Sequence, residues 1–315
     1  MKYVQLGNSE IKVSQLCVGC MSFGRPSEDF HQWTLNPQET ETIIRKALDL
    51  GINFFDTANV YSHGTSEEYL GQALKKNIAR DKAVIATKVY FNEGHLSKEA
   101  INREIDSSLK RLGTDYVDLY IIHRFDYDTS IEETMEALDG LVKSGKVRAL
   151  GASAMYGYQF HNMQLAAEKN GWTKFVSMQN HYNLLYREDE REMIPVCRQY
   201  NVSLTPYSPL ASGRLSRLEW HTDTKRSQTD KTAAQKYDSM LEKDSSIVKR
   251  VAEITKKYDA TMSQISIAWL LAKGVTSPII GATKARSLMM QQEHWIFHSL
   301  RKILLILKNY IFPIK

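Results

Sequence analysis

The sequence predicts a single-domain α/β protein built as a closed (β/α)8 TIM barrel. Short apolar segments alternate with longer amphipathic ones, the alternation occurs eight times, and no linker interrupts it. Eight parallel strands with crossover helices over roughly 250 residues close into a barrel whose active site lies at the carboxyl ends of the strands. A doubly wound open sheet is the less favoured alternative, because no G-x-G-x-x-G follows any strand candidate.

The eight strand candidates are short apolar runs. In chain order they read "LCVGCM", "NFFDT", "AVIATKV", "VDLYIIH", "VRALGAS", "FVSMQN", "VSLTPYS" and "TSPIIGAT". Between them, stretches such as "PQETETIIRKALDLG" and "SKEAINREIDSSLKRLG" carry apolar residues at helical spacing. Gly51 and Gly113 follow the last periodic residue of these two stretches, where a left-handed C-terminal cap is favoured. Ser97 precedes the second stretch as an N-cap.

Composition and charge narrow the function classes. The chain has 315 residues, 43% hydrophobic and 24% charged, which is typical of a soluble globular protein. The net charge of +5 is mild and the basic residues do not cluster with aromatic ones, so a small anionic ligand is favoured over nucleic acid. The polar opening "MKYVQLGNSE" is unlike a signal peptide, and three cysteines cannot form a disulfide framework, so we expect a cytoplasmic location. Cys17 and Cys20 are expected on opposite faces of one strand, as packed thiols.

Residues suited to a ligand site stand at the carboxyl ends of the second to eighth predicted strands. Asp56 ends the second strand, Lys88 the third and His123 the fourth. The remaining strands end at Ser153, at Gln179 and Asn180, at Tyr207, and at Gly281. Each of the first three also has a structural interpretation, since Lys88 could reach solvent, His123 could be a satisfied core histidine and Asp56 could cap a helix. Their occurrence at successive strand ends favours one shared site at the barrel rim.

The polar residues at this rim, together with Tyr61, suit reduction of a carbonyl group. A phenol has a reference pKa near 10, so it donates a proton at neutral pH only where a cation stabilises its phenolate. Lys88 would be that cation, and Asp56 would keep it charged through an ion pair. His123 would donate an N–H to the substrate oxygen as a carbonyl becomes an alcohol. No side chain carries a hydride, so a nicotinamide cofactor is predicted.

The motifs around these residues resemble those of the aldo-keto reductases, and of their long-loop bacterial type, which is similar to the potassium-channel β-subunit-like branch. "GINFFDTANVYSHGTSEEYLG" is similar to the first signature of the family, "IATK" to its lysine strand and "DLYIIH" to its histidine strand. "GASA", "MQNHYN", "YSPLASGRL" and "PIIGATK" are similar to its cofactor segments. The resemblance runs in order from Met1 to about Ser287. It implies a (β/α)8 barrel, an NADPH-dependent carbonyl reductase acting on a small carbonyl or alcohol, and a catalytic tetrad of Asp56, Tyr61, Lys88 and His123.

The same resemblance assigns the cofactor contacts, and it implies no metal. Ser153 and Gln179 would hold the nicotinamide carboxamide, and Tyr207 would stack on the nicotinamide ring. The residues expected to cradle the pyrophosphate are Ser208, Pro209, Leu210, Gly213 and Arg214. Thr283 and Lys284 would reach the adenosine phosphate of NADPH or NADP+. The expected set is completed by Met21, Asp56 and Gly281.

Three positions depart from the family pattern before the tail. Ala154 stands where many members have asparagine after the fifth-strand serine, so one carboxamide contact is absent or comes from Asn180. Ser62 stands where glycine is usual after the tyrosine. The stretch 215–243 is polar and long for a βα loop, and such loops are functional or disordered. Within it, Arg226 would meet a phosphate, or would belong to a solvated basic loop.

The residues after Ser287 depart most strongly. They read "LMMQQEHWIFHSLRKILLILKNYIFPIK", a basic segment where the family has an acidic amphipathic tail. With permitted codons, a one-base shift of the reading frame gives from Leu288 the family-like "LDDAAGALDFSLFKKDIAYFEELYIPHK". We therefore interpret 1–287 as the barrel domain and 288–315 as an atypical, frameshifted tail. Its apolar cluster "ILLIL" falls short of the roughly 20 residues that a membrane span needs, and an interfacial basic helix is the alternative.

Two other functions stay open beside the reductase. A barrel of this kind could bind the cofactor as a redox sensor with little turnover, or Lys88 could form a Schiff base in an aldolase. The substrate also stays open, because the loops "FNEGHLS" and "RFDYDTS" are its determinants. Their aromatic residues line an apolar pocket or pack the rim: Tyr90, Phe91, Phe125 and Tyr127. The sequence does not predict an oligomeric state.

Overall fold

Eight parallel strands form the centre of the fold, as predicted. The computed structural model describes residues 1–27, 29–219, 225–281, 283–284 and 288. The strands are β1 Tyr3–Gln5, β2 Lys12–Ser14, β3 Cys17–Gly19, β4 Phe54–Asp56, β5 Val84–Val89, β6 Val117–Ile122, β7 Val147–Ser153, β8 Phe175–Gln179, β9 Ser203–Leu204 and β10 Ile279–Gly281. β1 and β2 form an antiparallel hairpin, and the other eight pair in the order β10-β3-β4-β5-β6-β7-β8-β9.

Backbone hydrogen bonds close this sheet on itself. Thr276 N–H donates to Leu204 O at 2.9 Å, and Ile279 N–H donates to Pro206 O at 2.9 Å. These bonds join the β9 segment to the β10 segment, which are the two ends of the strand order. The predicted (β/α)8 barrel is thereby confirmed.

Helices follow the strands and pack around the barrel. They are α1 Pro37–Asp49, α2 Thr65–Asn77, α3 Lys98–Leu112, α4 Ile131–Lys143, α5 Gly157–Asn170, α6 Met193–Gln199, α7 Lys225–Thr229, α8 Lys231–Tyr237, α9 Leu241–Tyr258 and α10 Met262–Ala272. The predicted caps are confirmed: the Ser97 side chain accepts from Ala100 N–H, and Gly113 is left-handed with a φ of 66°. Gly51, one residue past the C-cap of α1, is also left-handed, with a φ of 78°.

The apolar side chains form one cluster inside the barrel and one between the strands and the helices. The inner cluster contains inward residues at the starts of several strands, together with Leu6 and Val13 from the β1–β2 hairpin. The hairpin, which the sequence analysis missed, therefore covers the end of the barrel opposite the carboxyl ends of the strands. Cys17 belongs to the inner cluster and Cys20 to the outer one, so the predicted opposite orientation is confirmed. Burial raises the pKa of both thiols, which suits packed rather than reactive cysteines.

The described part of the chain contains no helix that is both long and apolar enough to cross a membrane. Of the segment 288–315 that was interpreted as a frameshifted tail, Leu288 is described and is buried, and 289–315 lie outside the described residues.

Candidate active site

The carboxyl ends of the barrel strands open into a cavity of about 850 Å³. Most of the residues predicted for the site line this cavity: Met21, Asp56, Tyr61, His123, Ser153, Gln179, Tyr207, Ser208, Pro209, Leu210, Gly213, Gly281 and Thr283. Lys88 lies behind this lining and is completely buried. Arg214 and Lys284 do not line the cavity.

Lys88 is the centre of a buried polar cluster. Its Nζ donates to Asp56 Oδ1 at 2.5 Å, to Thr57 O at 2.7 Å and to Tyr61 OH at 3.2 Å. The strand register explains the contact with Asp56, because Asp56 pairs with Ala86 and Lys88, two residues later, points to the same face as Ala86. Burial by itself would lower the pKa of Lys88, but the Asp56 carboxylate and Tyr61 outweigh it and raise this pKa above its ordinary value. Lys88 is therefore a charged ammonium at neutral pH.

Tyr61 begins a tight turn that aims its phenol at this ammonium. The turn, Tyr61–Gly64, has left-handed residues in succession, with φ values of 46° at Ser62, 55° at His63 and 86° at Gly64. This geometry explains why glycine is usual after the tyrosine, since a side chain in this region is strained. The buried Ser62 hydroxyl donates to Phe23 O at 3.2 Å. Burial raises the pKa of Tyr61, and the neighbouring Lys88 partly offsets that rise.

His123 follows β6 directly and faces Tyr61. Their ring centroids are 5.8 Å apart, with an interplanar angle of 78°. Burial, together with the charges of Lys88 and Arg124, lowers the pKa of His123 well below its ordinary value. The ring is therefore a neutral imidazole at physiological pH, with one N–H to donate.

The carboxamide side of the predicted cofactor site is tied to the same carboxylate. Gln179 Nε2 donates to Asp56 Oδ2 at 2.8 Å, so the Asp56 carboxylate bridges Lys88 and Gln179. The amide oxygen of Gln179 is not used in this hydrogen bond. Ala154 lines the cavity in a left-handed conformation, with a φ of 48°. The Asn180 amide instead donates to Asp189, and Asn180 does not line the cavity.

Tyr207, predicted as a stacking platform, is supported from behind by aromatic rings. His181 stacks on Tyr207 with ring centroids 5.2 Å apart and an interplanar angle of 7°, and Tyr186 stacks on His181 at 4.3 Å. His181 Nε2 and Tyr237 OH share a 2.7 Å hydrogen bond. Burial lowers the pKa of His181 to about 3, so this ring is neutral. This support could not be predicted from the sequence, because no spacing pattern links His181 to Tyr237 in α8.

The backbone after Tyr207 contains several left-handed residues. Left-handed residues occur at Ser208, Ala211, Ser212 and Gly213, with φ values of 54°, 48°, 55° and 99°. Left-handed residues beside right-handed ones can aim N–H groups at a phosphate. In this loop Ala211 N–H and Gly213 N–H donate instead to Ser208 O and Leu210 O. The Arg214 side chain pairs with Asp238 and lies over the Tyr237 ring.

A segment that the sequence did not predict and the long 215–243 stretch border the mouth of the cavity. Trp33, in the segment after β3, lies against Arg226 of α7, whose guanidinium carbon is 4.3 Å from the indole centroid. Arg226 also pairs with Asp230 at 3.2 Å. The described part of the long 215–243 stretch forms helices and lines the cavity through Arg226 of α7, Asp230 and Lys236 of α8.

The four rim aromatics proposed from the sequence separate into three groups. Phe91 lines the cavity, and the centroid of its ring is 5.0 Å from that of the His123 ring. Tyr90 and Phe125 pack against the apolar cluster outside the strands. Tyr127 is 72% exposed.

Comparison with known proteins agrees with this geometry. The profile of the Aldo/keto reductase family matches residues 15–293. The versiconal hemiacetal acetate reductase of Aspergillus parasiticus is 43% identical over 306 residues, covering 89% of this chain and 88% of the relative. A Schizosaccharomyces pombe protein whose assigned name is aryl-alcohol dehydrogenase is also 43% identical, over 91% of this chain and 89% of the relative. An Alternaria alternata aldo-keto reductase is 42% identical over 89% of this chain and 83% of its own length. The chain therefore belongs to the aldo/keto reductase family of oxidoreductases.

Proposed function

We propose that the protein reduces an aldehyde or ketone to an alcohol with NADPH, and that Tyr61 donates the proton. The Lys88 ammonium carries this proposal, because it is completely buried, held by Asp56 at 2.5 Å and 3.2 Å from the Tyr61 hydroxyl. A buried ion pair is a poor source of stability. Its position beside a phenol at a cavity suits proton transfer.

The residues of the chain would divide the reaction between them. A nicotinamide cofactor supplies the hydride when it is bound. Tyr61 protonates the developing alkoxide, and Lys88 stabilises the resulting phenolate. His123, as a neutral imidazole, donates a hydrogen bond to the same oxygen. Asp56 keeps Lys88 charged and orients it.

Several features of the cavity wall support a nicotinamide cofactor. Tyr207 offers a flat ring backed by His181. The loop from Ser208 to Gly213, which contains four left-handed residues and lines the cavity, would contact the pyrophosphate. Ser153 and the Gln179 amide oxygen would hold the carboxamide. Thr283 lines the cavity at the β10 end, and Lys284 next to it would favour the 2′-phosphate of NADPH over the hydroxyl of NADH.

The substrate class that we propose to test first is an aromatic aldehyde or its alcohol. One relative carries the name aryl-alcohol dehydrogenase, and the cavity of this chain is lined by the aromatic side chains of Phe30, Trp33 and Phe91. Aromatic pairs prefer edge-to-face or offset contacts, which these rings can offer to a ring-bearing substrate.

Tyr61→Phe tests the proposed proton donor. Turnover with NADPH and a panel of aldehydes should fall by a factor of about 10²–10⁴, the range of general acid catalysis, while the dissociation constant for NADPH stays the same. Tyr158→Phe is the matched control, because Tyr158 is 57% exposed and does not line the cavity. Undiminished turnover in Tyr61→Phe would refute the assignment.

The same assays separate the alternatives. Tight NADPH binding without turnover of any aldehyde would favour a redox-sensing barrel. Borohydride trapping of Lys88 with a carbonyl compound would favour a Schiff base, which the raised pKa of Lys88 disfavours. Equal dissociation constants for NADPH and NADH at low salt would refute the proposed role of Lys284.

A further inference from the structure

The charges around the cavity are unevenly paired. Each carboxylate that lines it has a basic partner: Asp29 contacts His63 at 3.1 Å, Asp56 contacts Lys88 at 2.5 Å and Asp230 contacts Arg226 at 3.2 Å. Two other lining residues, Arg124 and Lys236, have no carboxylate oxygen within 4.0 Å among the described residues. The cavity wall therefore has surplus positive charge at these two positions.

Asp230 lies near Lys236 but is already engaged. Its carboxylate accepts from Ala233 N–H at 3.0 Å, which caps the start of α8, and pairs with Arg226 on the preceding helix. Arg124 and Lys236 also lie within each other's electrostatic field. Burial first, and the charge of Arg124 second, lower the pKa of Lys236. An anion between these two side chains would relieve their repulsion.

Each of the two cations lies beside a residue assigned to the reaction. Arg124 directly follows His123, and its guanidinium carbon is 5.4 Å from the centroid of the Phe91 ring. Lys236 Nζ is 4.5 Å from the centroid of the Tyr207 ring, which is the proposed nicotinamide platform. Both side chains line the cavity and keep part of their surface open to solvent, so a ligand in the cavity can reach them.

The anion that Arg124 would bind is not one of the cofactor phosphates. In the ring of strands, β6 is four strands away from β10 in either direction, so the two lie on opposite sides of the barrel. The proposed adenosine phosphate contacts, Thr283 and Lys284, follow β10, whereas Arg124 follows β6. The proposed pyrophosphate loop follows β9, the neighbour of β10 across the barrel closure. Arg124 therefore lies on the substrate side.

We infer that the substrate is an aromatic aldehyde, or the corresponding alcohol, that carries a carboxylate, and that Arg124 and Lys236 bind this carboxylate. The inference rests on the proposed function, since it places the carbonyl oxygen at Tyr61 and His123. The planar guanidinium of Arg124 matches a carboxylate with two parallel hydrogen bonds, and the Lys236 ammonium adds a flexible point charge. Phe91 lies against both His123 and Arg124 and would contact the ring between the two polar ends.

A pair of substrates of which only one carries the carboxylate charge tests the inference. The full-length chain is assayed with NADPH and either 4-formylbenzoate or its methyl ester. At low salt, we expect kcat/KM for the carboxylate to exceed that for the ester by about tenfold or more, because hydrogen bonds between charged groups are strong. The ratio of the two kcat/KM values should fall toward one at high salt, since exposed charges are screened.

Three variants locate the charge recognition. Arg124→Gln and Lys236→Gln should each lower this ratio by about fivefold, and Arg124→Lys should recover only part of it because it lacks the planar fork. Lys231→Gln is the control: Lys231 is an exposed cation on the same helix as Lys236, and it does not line the cavity. A ratio of one at low salt, or a ratio that neither Gln variant changes, would overturn the inference while leaving the reductase proposal intact.

Binding without chemistry separates the two proposals. If no aldehyde is turned over, the proposed function fails, and calorimetry with benzoate and benzamide then decides the inference. Stronger binding of benzoate that is lost in Arg124→Gln supports the anion site. Equal binding of the two compounds, or no binding of either, overturns it.

Discussion

Replacement of Lys88 by methionine should destabilise the fold far more than replacement of an ordinary surface lysine. The change keeps the apolar stem but removes an ammonium that donates to Asp56, Thr57 and Tyr61. Lys88 and Asp56 are only 0% and 3% exposed at their side chains. In Lys88→Met, the Asp56 carboxylate would keep the Gln179 amide as a partner but lose its cation.

The expected loss is a large share of the stability of the protein. Removal of one partner of a buried ion pair typically costs about 3–5 kcal/mol, because the other charge stays desolvated without compensation. The free energy of unfolding of a natural domain is about 5–15 kcal/mol. With an m value of about 3 kcal/mol/M, the urea midpoint should fall by about 1–2 M.

Lys76→Met is the matched control. Lys76 Nζ contacts Glu41 at 2.8 Å, a distance close to that of the buried pair, but the two side chains are 64% and 29% exposed. An exposed pair contributes only about 0–1 kcal/mol, so Lys76→Met should leave the urea midpoint nearly unchanged. Circular dichroism through a urea titration at neutral pH measures both variants.

The double variant Asp56→Asn/Lys88→Met tests the cause of the loss. It removes both charges, so we expect it to recover most of the free energy that Lys88→Met loses. An unfolding free energy for Lys88→Met equal to that of Lys76→Met would refute the claim that the Asp56 charge is desolvated. A double variant no more stable than the single one would attribute the loss to packing instead.

Three further predictions concern other features of the chain. The pKa of His181 is lowered from 6.5 to about 3 in the folded protein, so the protein loses stability as the pH falls below 6.5, and at pH 5 this loss is about 2 kcal/mol. His181→Gln should reduce the fall in unfolding free energy between pH 7.5 and pH 5 by that amount. An unchanged fall in the variant would refute the prediction. Ala154 has a φ of 48°, so Ala154→Gly should raise the unfolding free energy by up to about 1 kcal/mol, and a lower melting temperature would contradict this. Replacing the residues after Ser287 by those of the shifted reading frame should raise both the melting temperature and the NADPH affinity, because an unselected tail would pack at a cost of about 1–3 kcal/mol. Equal values for the two chains would show that the present tail is not a defect.

The strands made the catalytic end of the site predictable from the sequence. Strand residues alternate between two faces, so Asp56 and Lys88 could be placed on one rim from their positions at the ends of apolar runs. The same rule separated Cys17 from Cys20. The mouth of the cavity was not predictable in this way, because the contact of Trp33 with Arg226 joins two loop segments that share no periodicity.

The support of the predicted platform also depended on tertiary structure. Tyr207 could be proposed as a stacking ring, but its backing by His181 and Tyr237 requires α8 to lie against the β8 and β9 loops. The stretch that contains α8 is polar, and its charge pattern fits a solvated loop as well as a helix. Contacts between distant segments, rather than local propensity, decided this part of the fold.

The buried charges of the site are better explained by chemistry than by stability. A barrel interior close-packed with apolar side chains would be stabilised at least as well by two apolar residues of similar volume as by Lys88 and Asp56, because the desolvation of two charges offsets most of their attraction. This pair nevertheless lies at the end of the barrel that opens into the cavity, within 3.2 Å of a phenol. An apolar substitution of both residues, Asp56→Leu/Lys88→Met, should therefore preserve the fold and abolish proton transfer by Tyr61. A variant that folds and still reduces aldehydes at the original rate would show that the pair serves the structure instead.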